Sequence, residues 1–99
     1  MATKYKVLIT PSAEKDIQEI WDYIAQDFPE RANAFITELE RQVLTLETFP
    51  LRCPLIPENN LLHSKYRHLI YQDYRTIFRI ANKNIYVLRV MHGSRLLEF

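Results

Sequence analysis

Residues 66–80 read Tyr66-Arg67-His68-Leu69-Ile70-Tyr71-Gln72-Asp73-Tyr74-Arg75-Thr76-Ile77-Phe78-Arg79-Ile80. Two runs rich in β-branched and aromatic residues flank Gln72-Asp73, so the stretch predicts strands near 65–71 and 74–80 with a turn between them. A third run near 85–91 follows the turn residues 81–84. Because both connections are short, the three strands predict an antiparallel meander.

The residues before this sheet predict two amphipathic helices. Thr10 can cap the first helix with Pro11 at its first position, and Asp27 with Glu30 three residues later resembles a capping box for the second. The second helix ends before Pro50, which cannot continue the hydrogen-bond ladder. The apolar positions have helical spacing, at Ala13, Ile17, Ile20, Trp21, Ile24 and Phe28 and then at Ala32, Phe35, Ile36, Leu39, Val43 and Leu46.

Two such helices joined closely predict an antiparallel hairpin. The short β-branched segment 5–9 precedes them and predicts an N-terminal strand, while the proline-rich residues 49–60 predict an ordered loop that returns to the sheet. The expected order is a strand, a helical hairpin and a three-stranded meander in a single domain over residues 1–99.

Alternation along the strands divides the last third of the chain into two faces. Tyr74, Thr76, Phe78 and Ile80 share one face. If the helices cover the side of Phe78 and Leu88, the opposite face presents Arg75, Arg79 and Arg89 among Ile77, Ile85, Val87 and Met91. A mixed cationic and aliphatic surface is typical of a binding site for a partner. The alternative is that the first strand, the loop or a second copy of the chain covers this face.

Charge is unevenly distributed although the formal net charge is only +1. Residues 11–50 carry 3 basic and 9 acidic groups, and residues 61–99 carry 7 basic and 2 acidic groups. The basic part predicts an acidic or polyanionic partner. Asp16, Glu19 and Asp22 are expected on a solvated helix face, and Trp21 is expected in the core.

Other features narrow the class of protein. The single cysteine, Cys53, permits no disulfide within the chain, and His63, His68 and His92 lack a compact ligand spacing with it, so no metal site is predicted. No apolar stretch approaches the length of a membrane span and no leader pattern opens the sequence. A cytoplasmic protein without a cofactor and without a membrane partner is the expectation.

The order of elements, with Tyr74-Arg75-x-x-Phe78-Arg79-Ile80 and the closing Arg89-Val90-x-His92-Gly93-x-Arg95, resembles the RelE/ParE superfamily of toxins from bacterial type II toxin–antitoxin modules. The resemblance covers nearly the whole chain. It implies an α+β fold, growth inhibition, and neutralisation by a cognate antitoxin whose C-terminal segment wraps the toxin. An acidic amphipathic antitoxin segment would suit the predicted arginine face or the helical hairpin.

The superfamily has two mechanisms, and the resemblance implies different sites for them. RelE-like members cut mRNA on the ribosome, and their phosphate-contacting arginines match Arg75 and Arg95, with His92 as the candidate acid or base. The lysine pair of that branch is replaced around Tyr66-Arg67-His68, and Phe99 lacks the hydroxyl of its C-terminal tyrosine. ParE-like members inhibit DNA gyrase without catalytic residues, and their HGxR ending resembles His92-Gly93-Ser94-Arg95.

The ParE-like interpretation is favoured, with a RelE-like nuclease as the alternative and a non-toxic nucleic-acid-binding or adaptor domain as a second alternative. His92 has a structural interpretation as well, as a cap at the sheet edge, and Gly93 is expected to need a positive φ. The residues predicted to bind the antitoxin or the target are Arg67, Arg75, Ile77, Arg79, Val87, Arg89 and Met91.

Overall fold

The computed structural model describes residues 4–97. Strand β1 spans Lys6–Ile9, helices α1 and α2 span Pro11–Ala25 and Pro29–Leu44, a short helix α3 spans Asn59–Leu62, and strands β2, β3 and β4 span Arg67–Tyr71, Tyr74–Ala81 and Asn84–His92. Two 3-10 turns, Thr45–Glu47 and Pro50–Arg52, follow α2. The expected α+β order of a strand, a helical hairpin and a three-stranded meander is confirmed.

The start of α1 follows from Thr10 and Pro11, as predicted. Thr10 Oγ1 accepts a hydrogen bond from the backbone N–H of Ala13 (3.3 Å), and Pro11 lies in the first turn, where its missing N–H costs no helical hydrogen bond. The same hydroxyl donates to the carbonyl oxygen of Val87 (2.7 Å). The cap therefore also ties α1 to β4.

The start of α2 differs from the prediction. Its N-cap is Phe28, and no side chain caps the helix, so the capping box of Asp27 and Glu30 is wrong. Pro29 occupies the first turn instead, and the Arg31 guanidinium lies 4.3 Å from the centre of the Phe28 ring. The fixed φ of proline is sufficient to begin the helix here without a side-chain acceptor.

The four strands form one sheet in the order β1-β4-β3-β2. β2, β3 and β4 pair antiparallel, and β1 lies parallel to β4 with Val7 beside Ile85 and Ile9 beside Val87. The first strand therefore extends the edge of the sheet and covers neither face.

A β-bulge at Leu88 changes the alternation of β4. Phe78 pairs with Val87 whereas Ile77 pairs with Arg89, so Leu88 has no partner on β3. The extra residue reverses which side chains face the helices: Val87 and Val90 both lie in the core beneath the helices. The prediction that Val87 and Ile85 belong to the opposite face is wrong for this reason.

Two apolar clusters cover the two faces of the sheet. The larger one lies between the helices and the sheet and includes Leu39, Val43, Leu46, Phe78 and Ile85. The smaller one lies on the opposite face and consists of Ile56, Ile77, Met91 and Leu97, with Leu62 and Tyr66 packed against it. The loop before β2 and the segment after β4 therefore cover this part of the sheet, which answers the question left open by the sequence.

Two further expectations need correction. Trp21 is half-buried, and its Nε1 donates to Asn33 Oδ1 on α2 (2.8 Å), so it bridges the hairpin from outside the core. Gly93 does not have a positive φ; the turns instead place Gln72 (φ 51°) and Asn82 (φ 57°) in the left-handed region. Among residues 4–97, no helix has the length and apolarity needed to cross a membrane.

Candidate functional site

A buried ion pair joins the loop before β2 to the centre of the sheet. Arg75 Nη1 donates to Glu58 Oε1 (3.0 Å), and Nη2 contacts Oε2. The side chains of Arg75 and Glu58 are only 5% and 4% exposed. Two charges are tolerated at this depth because each neutralises the other in a bidentate arrangement.

The same pair binds the backbone after β4. Arg75 Nη2 donates to the carbonyl oxygen of Arg95 (2.7 Å), and the N–H of Leu97 donates to Glu58 Oε2 (2.8 Å). The hydrogen bond from Arg75 holds the pKa of Glu58 down at about 2, with a smaller contribution from the Leu97 N–H. Glu58 is therefore ionised at neutral pH, and both terminal nitrogens of Arg75 are bound inside the protein.

His68 lies beside this pair, with Nδ1 3.4 Å from Arg75 Nη1. Burial lowers the pKa of His68, and the positive charge of Arg75 lowers it further. A histidine in this setting favours its neutral form. It completes the surroundings of Arg75 without adding a second cation.

A shallow groove of about 190 Å³ contains two of the three predicted catalytic residues. His92 and Arg95 line it together with Tyr74, Asp16 and Glu19. The rings of His92 and Tyr74 meet edge to face, 5.6 Å apart. The third predicted residue, Arg75, has its guanidinium on the opposite face of the sheet with Met91, so the three side chains do not converge on one point.

The ring of His92 is oriented by Ser94. The backbone N–H of Ser94 donates to His92 Nδ1 (3.1 Å), and the Ser94 hydroxyl lies 2.7 Å from the same nitrogen. A backbone N–H can only donate, so Nδ1 is an acceptor and Nε2 carries the proton of the neutral ring. His92 is exposed and ends β4, which agrees with the structural interpretation as a cap at the sheet edge.

A second ion pair fixes Arg89. Its Nε and Nη2 donate to Asp16 Oδ2 (2.7 Å) and Oδ1 (3.0 Å), and the Val90 N–H donates to Asp16 Oδ2 (2.9 Å). These hydrogen bonds raise the pKa of Arg89. The prediction that Asp16 lies on a solvated helix face is wrong, because Asp16 is buried. It accepts the hydrogen bond of a backbone N–H in the part of β4 that extends beyond the end of β1.

Arg67 and Arg79 have different surroundings. The half-buried Arg67 donates from Nη1 to the carbonyl oxygen of Cys53 (2.6 Å), so it ties the loop to β2. Arg79 is exposed, and its guanidinium lies 4.4 Å from the centre of the Tyr86 ring. It is therefore the residue of the predicted arginine face that keeps its charge at the surface without a buried acid.

The predicted open face of arginines and aliphatic residues is wrong. Ile77 and Met91 are buried beneath Ile56 and Leu97, and Val87 is buried beneath the helices. Arg75 and Arg89 are paired with Glu58 and Asp16. The strand pattern could not show this because the covering groups come from distant segments, and the bulge at Leu88 reverses the alternation.

Sequence reasoning missed Glu58 and assigned Asp16 to the wrong environment. Asp16 lies three residues after Ala13 and four before Ile20, both of them buried positions. A carboxylate on the apolar stripe of a helix needs a buried partner, and this signal was available. Glu58 offered no comparable pattern, because its position depends on the path of an irregular loop.

Another groove lies on the helical side, between the hairpin and the turn that joins β2 to β3. It has a volume of about 410 Å³ and is lined by Ile24, Arg31, Ala34, Phe35, Tyr71, Gln72 and Tyr74. The Phe35 ring lies 5.2 Å from that of Tyr71 and 5.4 Å from that of Tyr74. The groove combines an aromatic floor with one cation, Arg31.

Residues 7–97 match the family model described as the ParE toxin of the type II toxin–antitoxin system parDE. The match includes β1, the helical hairpin, the remaining sheet and the segment that the Glu58–Arg75 pair binds. The chain belongs to the ParE toxin family. The expected membership of the RelE/ParE superfamily is confirmed, and the protein is a toxin of a type II toxin–antitoxin system.

Solved structures agree with the fold of this ParE-family toxin. A chain of the chromosomal ParDE toxin–antitoxin system from P. aeruginosa superposes with a TM-score of 0.74 at 20% identity, covering 92% of this chain and 98% of the other. A chain of the toxin–antitoxin complex RelBE2 from Mycobacterium tuberculosis gives a TM-score of 0.65 at 23% identity, with coverages of 91% and 92%. None of the curated proteins matches this chain in sequence.

These two likenesses show a shared architecture alone, because identities of 20% and 23% are too low to carry residue roles. Phe99, the last residue, which lacks the hydroxyl of the nuclease branch's C-terminal tyrosine, lies outside the described residues. Within residues 4–97, no group of three histidine, cysteine, aspartate or glutamate side chains is arranged to hold a metal ion.

Proposed function

We propose that this ParE-family toxin inhibits DNA gyrase by binding to it and does not cut RNA itself. The observation that supports the proposal is the environment of Arg75, the arginine at the position where RelE-like nucleases contact phosphate. Its guanidinium is buried and bound to Glu58 and to the Arg95 carbonyl oxygen. To reach a phosphate it would have to abandon a buried carboxylate, at a cost on the order of 3–5 kcal/mol.

The second candidate function is ribosome-dependent mRNA cleavage, and one observation favours it. His92, Arg95 and Tyr74 line the same groove, so a proton donor or acceptor, a cation and an aromatic ring are close together. The His92 Nε2 position is free to act on a substrate, since the contacts with Ser94 involve Nδ1. In that mechanism Arg95 alone would contact the scissile phosphate.

Induced expression without an antitoxin separates the two candidates. Gyrase inhibition predicts growth arrest with gyrase-linked DNA breaks and a DNA-damage response, while transcripts stay intact at ribosomal A sites. His92→Ala is expected to leave the growth arrest in place, because no proton transfer is required. Transcript cleavage that disappears in the His92→Ala variant would contradict the proposal and support the nuclease, and absence of growth arrest would contradict both.

We also infer that a cognate antitoxin neutralises the toxin by placing an amphipathic segment in the groove between the hairpin and the β2–β3 turn. Phe35, Tyr71 and Tyr74 provide an apolar floor, and Arg31 provides a cation for an acidic side chain. Exposed Tyr23 and Phe28, at 69% and 52% exposure, extend apolar surface along the same hairpin. Aromatic and arginine side chains of this kind are the usual anchors of protein interfaces.

Charge reversal at Arg31 tests this groove. Arg31→Glu is expected to weaken the affinity for the antitoxin about tenfold or more, because an acidic segment would then face a like charge. Lys83→Glu, at the exposed turn at the other end of β3, makes the same charge change away from the groove and serves as the control. Isothermal titration calorimetry with the purified antitoxin measures both. Equal affinities for the two variants would place the antitoxin elsewhere.

A further inference from the structure

The segment after β4, residues 93–97, is neither helix nor strand. A turn holds its first residues, since the Gly93 N–H donates to the Asp73 carbonyl oxygen (2.7 Å) and the Arg95 N–H donates to the His92 carbonyl oxygen (3.0 Å). Three further contacts fix its end. Arg75 binds the Arg95 carbonyl oxygen (2.7 Å), Glu58 accepts from the Leu97 N–H (2.8 Å), and the Leu97 side chain is buried with Ile56, Ile77 and Met91. The segment is therefore anchored from inside the protein.

The side chains of the same segment point to solvent. Ser94, Arg95 and Leu96 are exposed, and Leu96 has 67% of its surface accessible. An exposed arginine on a backbone held in one conformation is a common interface anchor, and the exposed leucine beside it adds apolar contact area. It also adjoins the groove of His92 and Tyr74.

A buried ion pair is not an efficient way to stabilise a fold, because an apolar pair of similar volume often stabilises it equally well. Unlike an apolar pair, Glu58 and Arg75 can form further hydrogen bonds in addition to those that join them to each other. That capacity is directed to the backbone of Arg95 and Leu97. The specific consequence of the pair is therefore the position of residues 95–97.

We propose that Glu58 and Arg75 are positioning residues, which hold residues 95–97 in a preformed conformation so that Arg95 and Leu96 contact the target of the toxin. The inference rests on the proposed function in taking that target to be DNA gyrase. A preformed segment avoids the entropy cost of ordering a loop on binding. Loss of the pair should therefore weaken inhibition without removing any side chain that touches the target.

The double variant Glu58→Met/Arg75→Met separates position from stability. It replaces the ion pair with two flexible apolar side chains of similar length, so the melting temperature is expected to stay within a few degrees of the wild type. Without the two hydrogen bonds to the segment, exchange of the Leu97 amide proton should accelerate about tenfold or more. The concentration of toxin needed to inhibit gyrase should rise about tenfold, because binding is weaker.

Val43→Ala is the matched control. Val43 is buried in the helical-side cluster, so its truncation lowers the melting temperature through a cavity without touching residues 93–97. Leu97 amide exchange under native conditions and gyrase inhibition should both remain close to wild type. If Val43→Ala weakens inhibition as much as the double variant does, the effect is general destabilisation and the proposal is wrong.

The remaining outcomes are equally decisive. The positioning role is wrong if the Leu97 amide of the double variant exchanges at the wild-type rate. It is also wrong if that amide exchanges faster but the double variant inhibits gyrase like the wild type. Neither result contradicts gyrase inhibition by the wild-type toxin. Wild-type protein that does not inhibit gyrase overturns the proposed function, and with it the assignment of the target to this segment. If the double variant does not fold, Glu58→Gln replaces it, because its amide keeps one acceptor oxygen and places an NH2 donor where Glu58 has the second of the two oxygens that serve Arg75 and the Leu97 N–H.

Discussion

At the scale of single residues, two acidic side chains determine the environment of two arginines in the basic part of this toxin. Glu58 and Asp16 come from a loop and from a helix, and each binds one arginine of the sheet with both carboxylate oxygens. Both acids also accept a backbone N–H, from Leu97 and from Val90. Each ion pair therefore satisfies one backbone N–H, that of Leu97 in the segment after β4 and that of Val90 in the part of β4 beyond the end of β1.

Protonation of Glu58 at low pH should lower the free energy of unfolding. The folded pKa of about 2 lies below the ordinary value of 4.5, so the stabilisation is complete above about pH 4.5 and is lost as the pH falls toward about 2. By about pH 3 the loss should be about 2 kcal/mol in the free energy of unfolding. Urea unfolding at about pH 5.5 and pH 3 measures it, and the same loss in Glu58→Met/Arg75→Met would assign it to other groups.

At the scale of elements, the sequence predicts the type and order of the helices and the main strands because their signals are local. The apolar spacing, the Thr10 cap and the turn at Gln72-Asp73 act within a few residues. The faces of β4 were not predictable in this way. The bulge at Leu88 depends on pairing with Ile77 and Phe78, and the cover over Ile77 depends on the loop and the C-terminal segment.

Thr10→Ala tests the junction between α1 and β4. The threonine hydroxyl both caps the helix and donates to the Val87 carbonyl oxygen, so its removal should lower the free energy of unfolding by about 1–2 kcal/mol. Ser12→Ala, at an exposed position in the same helical turn, should change it by less than about 0.5 kcal/mol. Chemical denaturation compares the two, and similar losses would mean that the junction is not held by the Thr10 hydroxyl.

At the scale of the whole molecule, internal ion pairs within the described residues 4–97 involve two of the seven basic groups in residues 61–99, Arg75 and Arg89. The acidic helices and the basic sheet meet at Asp16 and Arg89, and Glu58 takes Arg75 out of the surface. The cations that stay exposed include Arg79 and Arg95. The molecule therefore offers separate exposed arginines and an aromatic groove, which suits recognition of proteins better than a continuous phosphate-binding track.

The candidate site was predictable only in part, for the same physical reason. His92 and Arg95 belong to one stretch of chain, so their joint position in a groove follows from local sequence. The state of Arg75 does not, because it is set by Glu58, seventeen positions away along the chain. That contact buries a guanidinium that was expected to contact phosphate and pairs it inside the protein.

The most direct test of the account is a supercoiling assay with purified toxin and purified DNA gyrase in the absence of ribosomes and RNA. We predict that the toxin blocks supercoiling and leaves gyrase-linked cleaved DNA, and that His92→Ala does the same. The purified antitoxin should reverse both effects. Unimpaired supercoiling at saturating toxin, together with cutting of mRNA when ribosomes are supplied, would contradict the account.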